Sequence, residues 1–159
     1  MDLDRAQANW TLGHFNSEEL PELAAQMMMQ GFEGPAILEL ASFHRPINRD
    51  IPKGLVERAF LETGRPSISV VEASSRLSEP IAQRIVSGST QPLEGALELL
   101  QGVRWAGESG DTSFFYQLDD LAENAHRPSP DGEKCSRKIV DVCRQFLNKR
   151  SQGLSASGH

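Results

Sequence analysis

Apolar side chains recur every three or four positions along this chain, and that spacing constrains its fold more than any other feature. Leu20, Leu23, Ala24, Met27 and Met28 fall at i, i+3, i+4, i+7 and i+8, one face of a helix. No stretch of four to eight residues alternates cleanly as a half-buried strand would. Ser67-Ile68-Ser69-Val70 comes closest, and the helix start beside it explains the pattern better. The fold class read from the spacing is all-α. It predicts about seven helices in antiparallel hairpins, forming an orthogonal bundle or a short α-array. With 159 residues the chain can bury a sizeable core, and a single helical domain is drawn over 1–150. The small, polar composition of 151–159 predicts a flexible C-terminal tail.

Turn and capping residues set the expected boundaries. Asn16 and Glu19 suggest a short initial turn, followed by a first helix from Pro21 to about Gln30 that Gly31 ends. Gly34-Pro35 opens a second helix whose buried face is read as Ile37, Leu38, Leu40, Ala41 and Phe43. After a loop over His44–Ile51, a third helix spans Pro52 to Thr63. Ser69 with Glu72 forms a capping box for a fourth helix, which runs to Ser87 and is expected to kink at Pro80. Pro92 opens a fifth helix. A glycine-rich segment from Gly102 to Asp111 follows, with Trp105 as its large apolar anchor. The sixth and seventh helices are placed at about Thr112–Ala125 and Gly132–Lys149.

No apolar run exceeds three residues, whereas a membrane-spanning helix needs about 20. The first residues show no basic head followed by an apolar stretch, so no signal peptide is read and a cytoplasmic location is expected. Cys135 and Cys143 lie eight apart in one predicted helix. At the helical rise their Cα atoms stand about 12 Å apart, beyond disulfide reach. They share a face with Ile139, Val142 and Phe146, which predicts buried, reduced thiols.

Charge is the most informative feature for function. The net charge of −6 is segregated: residues 1–44 carry −6, 45–107 carry +1, 108–133 carry −6 and 134–159 carry +5. Glu18, Glu19 and Glu22 sit at a helix start, where the dipole favours them. Asp119, Asp120 and Glu123 lie mid-helix, beyond that effect. They balance the bases of the last helix, or with Tyr116 present a surface to a basic partner protein, or belong to a metal or acid–base site. Lys134, Arg137, Lys138, Arg144 and Lys149 lie opposite the apolar stripe of the last helix, the pattern of a nucleic-acid contact. The acidic whole and the lack of interleaved aromatics weigh against that reading.

Catalytic signatures are missing from the sequence. None of His14, His44, His126 and His159 falls in a metal-binding or triad spacing, and there is no GxSxG, P-loop or GxGxxG. Gly107-Glu-Ser-Gly-Asp111 lacks the lysine and preceding strand of a phosphate loop. His44 with Asp50 is the one acid–base pairing worth testing. No catalytic residue, metal or cofactor is expected.

Three phrases resemble a group of small, uncharacterised, all-helical bacterial proteins. They are Glu19-Leu-Pro-Glu-Leu-Ala24, Gly31-Phe-Glu-Gly-Pro-Ala36 with Glu39-Leu-Ala41, and Ile85-Val-Ser-Gly88 leading to Pro92-Leu-Glu-Gly-Ala96. The resemblance covers about residues 10–105 and implies a helical bacterial protein, with no active site to carry over. The function expected is non-enzymatic binding of another protein inside the cell, such as an immunity protein or antitoxin that neutralises a basic toxin. The alternative is a regulator that contacts nucleic acid through the C-terminal basic helix, and a small enzyme ranks third.

Overall fold

A computed structural model describes residues 1–102, 113–125 and 130–156. Trp105, the Gly107–Asp111 segment, His126 and His159 lie outside them. Eight α-helices occur among the described residues, with no strand: α1 (Leu3–Thr11), α2 (Leu20–Met29), α3 (Pro35–Ala41), α4 (Leu55–Glu62), α5 (Val70–Val86), α6 (Pro92–Gly102), α7 (Ser113–Ala125) and α8 (Pro130–Ala156). A 3₁₀ turn at Ser17–Glu19 leads into α2. The chain divides into two compact units, Met1–Ala73 and Ser74–His159.

The count exceeds the expected seven because α1 is too short for its pattern to stand out. Its buried side chains include Gln7 and two alanines beside Leu3, so the stripe reads as weakly apolar. Gln7 is buried for a reason: its side-chain Nε2 donates to the carbonyl of Pro66 at 2.8 Å and tethers the 65–66 loop. Asp2 caps α1 by accepting from the Asp4 amide at 2.9 Å.

In the first unit, Leu20, Leu23, Met27, Ile37, Leu40, Leu55 and Phe60 are fully buried in one cluster. Leu38 departs from the expected buried face and is exposed. Ala36, Ile37 and Leu40 turn inward, which leaves Leu38 on the other side of a seven-residue helix. The first turn of α3 is capped from a distance. The Glu62 carboxylate accepts from the amides of Ala36 at 2.9 Å and Ile37 at 3.0 Å. Gly34 allows this approach, because a Cβ there would overlap the Glu62 carboxylate. Glu18 and Glu22 hold the loop after α3: the Glu18 carboxylate accepts from the Ile47 amide at 3.0 Å, and Arg45 pairs with Glu22 at 3.1 Å. These acids therefore anchor a loop as well as facing a helix dipole.

Gly64 and Gly88 end α4 and α5 at positive φ (77° and 79°), where a Cβ would be strained. In each case the next amide reaches back across the turn, Arg65 to the Phe60 carbonyl and Ser89 to the Arg84 carbonyl. Ser69 caps α5, its Oγ accepting from the Glu72 amide at 3.1 Å. The helix runs from Val70 to Val86 across Pro80.

The second unit buries Ala82, Ile85, Ala96, Leu99, Leu118, Ile139 and Cys143. Cys135 and Cys143 are free and buried. Burial pushes the Cys143 thiol up to about 12. A pKa raised in the folded state means that folding favours the neutral thiol. Its contribution to stability is therefore complete below about pH 9 and declines as pH rises towards 12. Urea unfolding of wild type and Cys143→Ala at successive pH values checks this, because the alanine variant should lack that alkaline decline.

Candidate protein-binding surface

The α7 helix is held by the side chains it buries. Phe114, Leu118 and Ala122 recur every four positions and lie against α8, where Ile139 and Cys143 are buried too. Phe114 stacks on Phe146 of α8, with ring centroids 4.5 Å apart and planes 16° from parallel. Fixing that face inward dictates what the opposite face presents. Tyr116, Asp119, Asp120 and Glu123 fall at i, i+3, i+4 and i+7, so they form one stripe. Tyr116 is 65% exposed, Asp120 and Glu123 are exposed, and Asp119 is half-buried.

All four predicted surface residues thus share the outward side of one helix. Among the described residues, no ion pair within 4 Å engages Asp120 or Glu123. Among the described residues, ion pairs of the α8 arginines include Arg137 with Glu133 at 3.7 Å, Arg144 with Asp141 at 3.3 Å, and Arg150 with Glu79 of α5 at 3.4 Å. Arg150 does not mark the end of α8, since the helix continues past the expected Lys149 to Ala156.

A shallow groove of about 380 Å³ runs between α7 and α8 beside this stripe. Leu121 and Val142 line it together with Asp120, Lys138 and Asp141. Gln117 and Leu121 were not singled out by sequence reasoning, and Val142 was read only as part of the apolar face of the last helix. They flank the buried stripes of their helices, and they meet only once the two helices are paired.

No protein-family model, curated protein or solved structure matches this chain. The resemblance to small bacterial helical proteins gains no support from these comparisons. His14, His44 and Asp50 are all exposed, and among the described residues no group of three His, Cys, Asp or Glu side chains could hold a metal. No helix among them is long and apolar enough to cross a membrane. Lys134, Arg137, Lys138, Arg144 and Lys149 of α8 are exposed, but Glu133 and Asp141 stand among them and pair with two of the arginines.

Proposed function

We propose that this chain is a binding protein that captures a basic protein partner through the outward face of α7. One observation carries the reading: an exposed tyrosine stands in line with three carboxylates on the face turned away from the core. Tyrosine supplies broad contact area with few torsions to immobilise, and it is enriched where binding energy concentrates. The acids supply long-range attraction, which the net charge of −6 reinforces. A small acidic protein with such a face suits the neutralisation of a basic toxin inside the cell, as an immunity protein or antitoxin does. Nucleic-acid contact through α8 is the weaker reading, because its basic face is interrupted by its own acids.

The test begins with a photo-crosslinking amino acid at position 116 in the native host, which identifies the partner. Association is then timed by stopped flow with purified proteins at low and physiological salt. Reversing Asp119, Asp120 and Glu123 to lysine is expected to slow association about 10- to 100-fold at low salt, with little change in dissociation. Rates equal to wild type would remove this face from the interaction. A gel shift with duplex DNA and with RNA at low salt tests the weaker reading in parallel.

A further inference from the structure

A second site lies in the Met1–Ala73 unit and shares no residue with the α7 surface. Between α1 and α4 is a half-open cleft of about 290 Å³, near the lower limit for small-molecule sites. Trp10, Thr11, Glu57, Phe60 and Ser67 line it. The indole Nε1–H of Trp10 donates to Glu57 Oε1 at 3.0 Å, and the ring meets Phe15 edge-on with centroids 6.4 Å apart. Both contacts hold the indole in place.

The charge lining the cleft is one-sided. Among the described residues, Glu57 is the one ionisable side chain lining it, and no lysine or arginine does. A carboxylate has about four acceptor sites, and the indole occupies one. The Thr11 hydroxyl gives its proton to the Gln7 carbonyl at 2.9 Å, so towards the cleft it can only accept. The Gln7 amide nitrogen is committed to the Pro66 carbonyl. Residues 1–73 contain eleven acids and six bases, so the surrounding unit is negative as well. A cleft with an aromatic wall, a carboxylate and spare acceptors suits a positively charged ligand with an apolar shell. The geometry points to a binding site for a small organic ammonium ion, free in solution, with its cationic head beside Trp10 and Glu57.

The probe is tetramethylammonium chloride, added to the ¹⁵N-labelled full chain. The readout is the indole N–H resonance of Trp10, assigned by its loss in Trp10→Phe. A saturable shift with a midpoint of about 1–30 mM is expected, as befits a cation on one ring and one exposed carboxylate. Glu57→Gln keeps an oxygen for the indole and should raise the midpoint at least about threefold. Ser67→Arg, at an exposed rim position, should abolish saturation by placing a guanidinium at the mouth. Neopentyl alcohol, similar in shape but neutral, and sodium chloride at matched concentration should give no saturable shift. The site is refuted if either control reproduces the effect, if tetramethylammonium fails to saturate, or if both variants titrate like wild type.

Discussion

Leu118→Ala is expected to lower stability by about 2–5 kcal/mol, the range for emptying a fully buried leucine position. Leu118 has no exposed surface and sits between Phe114 and Ala122 on the inward stripe of α7. Phe114 is pinned against Phe146, and Ile139 and Cys143 are buried in the same cluster, so neighbours have little freedom to refill the space. Two positions earlier, Tyr116→Ala should change stability by no more than about 0.5 kcal/mol, because that side chain is 65% exposed. The contrast tests the premise of the proposed function, that the core fixes which face of α7 looks outward. Urea unfolding followed by helical circular dichroism gives both values. Equal losses for the two variants would mean that α7 is turned differently, and the stripe from Tyr116 to Glu123 would no longer form an outward surface.

The same premise explains how much was legible beforehand. In α7 the apolar residues Phe114, Leu118 and Ala122 occupy one side, so the position of the acids opposite them follows from spacing alone. Boundaries were readable wherever a side chain or proline enforces them: Ser69 at the start of α5, Pro92 at the start of α6, Gly64 and Gly88 at helix ends. Local chemistry was insufficient in three places. The α1 helix buries a glutamine and alanines, and the Gln7 side chain finds the Pro66 carbonyl 59 residues along the chain. The α3 cap comes from Glu62, 26 residues after Ala36, so no nearby capping motif announces it. Leu38 shows that a run of apolar residues in a short helix does not say which of them turns inward. The groove beside Asp120 is of the same kind, since it exists only through the pairing of two helices. Nothing in the spacing marks the division between Ala73 and Ser74 either, because a helical stripe reads alike whichever cluster it joins.

Gly95→Ala provides the other large effect, with a sign that helix propensity alone would get wrong. On an open helix the change should stabilise by about 1 kcal/mol. Gly95 is instead buried in α6, and a Cβ there would overlap Ile85 Cγ1 and lie 2.7 Å from its Cδ1. Ile85 is only 1% exposed, so its side chain has no solvent into which to swing. Overpacking of this kind costs about 1–3 kcal/mol and should outweigh the propensity gain. Ile85→Ala alone removes both clashing carbons and should cost about 2–5 kcal/mol through the cavity it leaves. In that background the added Cβ meets empty space, and Gly95→Ala should become neutral or stabilising by up to about 1 kcal/mol. The cycle therefore predicts a coupling of about 1–3 kcal/mol between the two positions. Denaturant titrations of wild type, both single variants and the double variant measure it. Losses that add within about 0.5 kcal/mol would show that α5 and α6 do not meet at Gly95, and that this glycine reflects something other than close approach.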